Sequence, residues 1–200
     1  MRNKAIPVWL KLSYTLLVII IVPVYWRELG PTNFLWFSDI ALISLVAAVW
    51  LENSLIASTM AVSVFFLELA WVIDFFSGGQ LLHVAAYMFA EDESWLIRLL
   101  SGSFHLVLPA LLLFLLLRLG YDRRAFRLQI VLALLVLLLT FFTTGPADNI
   151  NWVYGPGEPQ SILPPLVYLF VFFLALVMLI YWPSHLLFSH YFNGNRRRTR

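Results

Sequence analysis

The segment FLELAWVIDFF, residues 66–76, holds two carboxylates, Glu68 and Asp74, inside an otherwise aliphatic and aromatic run. A third acid, Asp39, stands in FLWFSD, and an imidazole, His105, stands in SFHLVLP. These residue types do acid–base work. A carboxylate that orients one nitrogen of an imidazole leaves the other free to take a proton from a hydroxyl or a water. Ser38, Ser103 and Thr140 supply hydroxyls, and Ser103 is two residues from His105. None of them lies in a GxSxG elbow, so no local motif selects a nucleophile. Six residues separate Glu68 from Asp74, about 600° of helix, which leaves the two about 120° apart and gives each its own partners. The expected catalytic set is therefore His105 as general base, Glu68 or Asp39 to orient it, and Ser103 or Ser38 as the hydroxyl.

Why the acids sit in so apolar a run depends on the solvent. The 200 residues are 62% hydrophobic and 12% charged, with a mean hydropathy of +0.86, whereas soluble domains carry about 25% charged residues. This composition is that of an integral membrane protein. In that setting an ionised carboxylate at mid-depth costs about 2.5–3.5 kcal/mol, so such residues face a bundle interior or a water-filled cavity. There is no cysteine, which removes disulfides, thiolate metal sites and a thiol nucleophile.

Six apolar segments, at about 7–25, 34–51, 54–76, 95–118, 126–144 and 162–183, are each long enough to cross a bilayer as a helix. The expected fold is all-α, a six-helix transmembrane bundle forming one domain over residues 1–192, followed by a basic tail at 193–200. With six spans, Arg2, Lys4, Lys11, Arg118, Arg123, Arg124, Arg127, Arg196, Arg197, Arg198 and Arg200 share one face, while Arg27 and Arg98 fall on the other. The positive-inside rule then places both termini in the cytoplasm of a cell membrane, the inner membrane in a bacterium. The tail GNRRRTR reads as a topology anchor beside anionic lipid, with no nucleic-acid role.

This topology sets depths. Asp39 falls roughly 7 Å below the outer end of the second helix, Glu68 about 9–12 Å below that of the third, and His105 roughly 15 Å down the fourth. An outward-facing polar pocket is expected around them. The loop GPADNINWVYGPGEP would supply Asp148, Asn149 and Asn151 as a polar lid and Trp152 and Tyr154 at the interface. Trp36, Asp74, Arg98, Asn149, Asn151 and Trp152 are the expected substrate-binding residues. The connection SGGQLLHVAAYMFAEDES, residues 77–94, is expected as an interfacial helix or a cap on the pocket.

No cofactor or metal is expected. Lys4 and Lys11, the only lysines, lie at the entry of the first helix and leave no retinal Schiff base, and His83 is the sole outer-side imidazole to pair with His105 on a haem. Three acids and one histidine form a poor zinc set, and no HExxH occurs. Membrane lipids are the expected partners, and the reaction expected is hydrolysis or transfer of a fatty-acyl ester. The alternatives are a small proton- or cation-coupled carrier, disfavoured by the absence of a visible inverted repeat, and a non-catalytic assembly partner.

The segments YWRELGPTNFLWFSDIAL, SFHLVLP, LGYDRRA and PADNINWVYGPG together resemble a group of bacterial multi-pass membrane proteins, a likeness that covers most of the chain and implies a shared architecture. More distantly, FLWFSD and HLVLP are similar to motifs of the androgen-induced family of atypical integral-membrane hydrolases, which cleave fatty-acid esters of hydroxy fatty acids. That resemblance implies a catalytic role for His105. Trp36 occupies the position of that family's nucleophilic threonine.

Overall fold

The computed structural model describes residues 5–91 and 93–192. Among them the chain is all-helical, and its six long helices are α1 (Val8–Glu28), α2 (Phe37–Leu51), α3 (Ser54–Phe76), α4 (Trp95–Leu119), α5 (Ala125–Thr143) and α6 (Pro165–Tyr191). Five of these are long and apolar enough to cross a membrane, and α2 is a shorter apolar helix. The expected N-terminal basic residues Arg2 and Lys4 and the tail at 193–200 lie outside the described residues.

Local chemistry explains where the helices stop. Pro7 precedes α1, and Gly30, at φ 81°, with Pro31 behind it, ends it. The Phe34–Trp36 stretch expected inside the second span is instead the end of a short 3₁₀ turn, Pro31–Leu35, so α2 starts at Phe37. Between α2 and α3 the chain reverses over two residues. Glu52 takes a left-handed conformation, and the Asn53 side chain caps α3 by accepting from the amides of Leu55 and Ile56 at 2.9 and 3.1 Å. The sixth segment, expected to end near 183, runs on to Tyr191. Pro183 cannot donate to the carbonyl four residues back, and a π-helical insertion at Leu176–Tyr181 absorbs the mismatch without breaking the helix.

Burial ranks the helices. In their most apolar stretches α3 and α4 are 56% and 61% buried, against 22% for α1, 33% for α5 and 22% for α6. The last three leave large apolar side chains such as Leu16, Ile19, Leu135 and Leu179 exposed, as suits a surface facing acyl chains. α3 packs on α2, α4, α5 and the second half of α6. Its polar side chains Ser58, Thr59, Ser63, Glu68 and Asp74 are all buried.

Candidate functional site

Glu68 on α3 and His105 on α4 meet inside the bundle, with Oε2 2.7 Å from Nδ1. The pair is shielded, Glu68 being 3% and His105 8% exposed. Trp71, one turn beyond Glu68, lies nearly flat on the imidazole, its ring centre 4.2 Å away and tilted by 19°. Phe104 covers another side at 4.0 Å. Four residues after His105, Pro109 has no N–H to give to the His105 carbonyl, so α4 loses a backbone bond at the depth of the pair. With the ring gripped between Trp71, Phe104 and Glu68, only Nε2 is left to meet anything else.

What it meets is the 77–94 connection. The Tyr87 hydroxyl stands 3.5 Å from Nε2, at the outer limit of a hydrogen bond, and 3.0 Å from the Ser101 hydroxyl. The Tyr87 ring is 41% exposed while its hydroxyl is turned inward. Burial pushes that phenol up to about 12; the Ser101 and Trp71 side chains pull against this and the Glu68 and Asp39 carboxylates add to it. Tyr87 is therefore a neutral hydroxyl through the physiological range. A polar chain of carboxylate, imidazole, phenol and serine results, with its last two groups under a short 3₁₀ turn, Ala86–Phe89, that roofs the pair.

Asp39 lies beside this chain rather than in it. It sits in the first turn of α2, 2% exposed, where the helix dipole favours an anion. One oxygen accepts from Asn33 Nδ2 at 3.3 Å, and the other, Oδ1, has no partner among the described residues. Neither bonds to Glu68 or His105. Among the described residues no three His, Asp or Glu side chains gather closely enough to hold a metal ion.

The remaining expected residues are placed elsewhere. Asp74 folds the connection onto the end of α3: its oxygens accept from the amides of Leu81, Leu82 and Ala85 at 2.9, 2.7 and 2.8 Å. Arg98 ties the same connection to α4 by donating to the Ala90 carbonyl. The Ser103 hydroxyl donates to Leu99 O at 2.6 Å, turned about 200° round α4 from His105. Ser38 is half-buried in the first turn of α2 and makes no bond to His105. Asn151 anchors the 144–164 loop to α2, accepting from Phe37 N at 3.0 Å and donating to Leu35 O at 2.7 Å. Asn149 holds that loop closed through Gly155 O, Gly157 O and Tyr154 N. Trp36, Asp148, Asn149 and Trp152 line a separate open depression of about 370 Å³. The residues expected around one chamber are thus dispersed: Glu68 and His105 form the roofed pair, Trp36, Asn149 and Trp152 line the loop depression, and Asp39, Asp74, Arg98, Ser38, Ser103 and Asn151 belong to neither.

Two members of the polar chain, Ser101 and Tyr87, and the ring stacked on it, Trp71, were not anticipated. Ser101 and Trp71 had a signal: Ser101 is four residues before His105 and Trp71 three after Glu68, spacings that put each on its partner's helix face. Tyr87 had none, since its position follows from how Asp74 folds the connection. No protein-family model matches the chain, and no curated protein or solved structure is similar to it.

Proposed function

We propose that the chain crosses the cell membrane six times, α2 included, with both termini on the cytoplasmic side, and that the Glu68–His105 pair is the acid–base centre of a hydrolase or transferase acting on fatty-acyl esters. The topology is supported by the grouping of basic residues, with Lys11, Arg118, Arg123, Arg124 and Arg127 at one end of the bundle and Arg27 and Arg98 at the other. The chemistry rests on one observation: a buried carboxylate 2.7 Å from Nδ1 with Nε2 facing the Tyr87 hydroxyl at 3.5 Å. With Glu68 ionised and the imidazole neutral, Nδ1 carries the proton and donates to Oε2, and the lone pair on Nε2 is aimed at Tyr87 and, through it, at Ser101. An ester entering from the outer leaflet beneath the 77–94 roof would bring its carbonyl to this base. A water giving its proton to Nε2 would attack that carbonyl, and the ester C–O bond would break as the leaving alkoxide takes the proton from His105; Ser101, giving its proton through Tyr87, would instead form an acyl-serine that a water or a second alcohol then resolves. The likeness of HLVLP to a motif of the androgen-induced hydrolases implies a role for the same histidine.

The test is purified protein offered fatty-acyl esters of several headgroups, with fatty acid release as readout. His105→Ala should lower the rate by about 100-fold or more, the usual worth of a positioned general base. Equal release by wild type and variant removes the reading. Proton conduction is the second reading, supported by the unpartnered, buried Oδ1 of Asp39 beside the chain. It predicts a proton flux in proteoliposomes that Asp39→Asn and Glu68→Gln both abolish.

A further inference from the structure

At the basic end of the bundle, far along α3 from the acid–base pair, the start of α5 and the late turns of α6 enclose a depression of about 470 Å³. It is lined by Arg123, Arg124, Phe126, Arg127, Trp182 and His185. Its aromatic walls are held in place from several sides. Phe126 stacks on His185 at 4.8 Å and meets Trp182 edge-on at 5.5 Å. Nδ1 of His185 is bonded to the Tyr121 hydroxyl at 2.8 Å. Tyr121 in turn donates its amide to Phe192 O at 2.8 Å, which fixes the end of α6 to the loop before α5.

Charge at this place is unbalanced. Asp122 takes the guanidinium of Arg124 through contacts of 2.7, 3.1 and 3.2 Å, so those two cancel. Arg123 and Arg127 are exposed and have no acidic partner among the described residues. They are four residues apart and so share a face. They also flank the N-terminal end of α5, which has no acidic residue in its first turn. A helix N-terminus carries about half a positive charge, so two more cations there repel it and an anion is favoured. Guanidinium forks match phosphate oxygens two at a time. The walls beside them are aromatic, and Trp182 is 49% exposed, which suits a ligand with an apolar part.

We infer that this depression seats the phosphate of an anionic phospholipid headgroup, held by Arg123 and Arg127, with the acyl chains running along Trp182 and Phe126. The shared chemistry is a phosphate anion, and the apolar walls select a lipid over free phosphate. Basic pockets between membrane helices are suited to such headgroups.

Native mass spectrometry on the purified full chain tests this, with phosphatidylglycerol, phosphatidylethanolamine and inorganic phosphate as separate probes. Phosphatidylglycerol should be retained over the other two, and R123Q/R127Q should weaken its retention by about tenfold or more, the value of one charge-assisted bond. R118Q, compared with R123Q and R127Q made singly so that each removes one charge at the same end, should retain it as wild type does. Equal losses in R118Q would reduce the effect to net charge and overturn the site, as would equal retention of all three probes or tight binding of inorganic phosphate alone. A readout that leaves the arginines intact is quenching of Trp182 by brominated phosphatidylglycerol, with W182F identifying its share of the signal. Quenching no stronger than by brominated phosphatidylethanolamine would also overturn the proposal.

Discussion

Replacing Glu68 and His105 singly and together measures whether the pair holds a charged carboxylate, is a neutral hydrogen bond or is an accident of packing. Leucine is used at both positions to keep volume. Removing His105 strands a carboxylate that is only 3% exposed, which costs about 3–5 kcal/mol. Loss of the Trp71 stack costs about 1 kcal/mol more. Removing Glu68 strands an imidazole that can stay neutral, and about 2 kcal/mol is expected. The double variant strands neither, and replacing a buried pair by apolar groups is often close to neutral. The Trp71 contact is lost in both His105 variants and cancels in the cycle. With the double variant near neutral, the coupling is the sum of the two single costs, about 5–7 kcal/mol for a charged carboxylate 2.7 Å from the imidazole. Neutral interhelical bonds in a membrane reach only about 0.6–1.7 kcal/mol, so the magnitude separates the two. The assay is reversible unfolding in a denaturing detergent followed by tryptophan fluorescence. Additivity within about 0.5 kcal/mol would refute the coupling.

Asp74→Ala removes the acceptor of three backbone amides, so the 81–85 amides should lose protection in hydrogen exchange by about 3 kcal/mol; unchanged exchange would mean the connection is held by other contacts. Asn151→Ala frees the amide of Phe37 and the carbonyl of Leu35, and should cost about 1–3 kcal/mol in the same unfolding assay. Glu52 is held below the usual glutamate range by its hydrogen bond from Lys11 and then by the amide of Ile6. Because the folded value is the lower one, the stability it brings is present above about pH 4.3 and is lost as pH falls through the depressed value. Wild type should show an acid step in that window that Glu52→Gln lacks, measured by thermal unfolding across pH; matching profiles would count against the Lys11–Glu52 link.

The helices were legible because apolar run length is a nearly sufficient signal when the solvent is a bilayer. The ends were less so. Pro183 reads as a stop, yet the helix runs through a π insertion at Leu176–Tyr181 and on to Tyr191. Glu68 and His105 were legible by type and cost, since nothing but function or pairing justifies an acid and an imidazole at that depth. Ser103 was chosen for closeness in sequence, yet two residues along a helix point nearly opposite ways, and Ser101 four residues back faces the same side as His105. Tyr87 lay beyond reach, because the 77–94 connection has no periodic pattern and is shaped by the oxygens of Asp74. The loop residues Asn149 and Asn151 were legible as polar and were placed over the pocket, where they bind backbone instead.

α3 shows why the acid–base pair calls for a chemical explanation. Along it Ser58, Ser63, Glu68 and Asp74 follow at intervals of five or six residues, each turned well away from the last. Each therefore meets a different neighbour. Ser58 accepts from the Asp122 amide at 2.9 Å, Ser63 from Gln129 of α5 at 2.9 Å, and Asp74 from the connection, while Glu68 meets His105 of α4. A serine and a glutamine suffice to join α3 to α5 without burying a charge. The α3–α4 contact has the same geometric task and is likewise buried, and there the sequence places two ionisable groups. For helix packing alone that choice is the costlier one, and this cost is the argument for the proposed acid–base role, since an imidazole and a carboxylate can exchange a proton where a serine and a glutamine cannot.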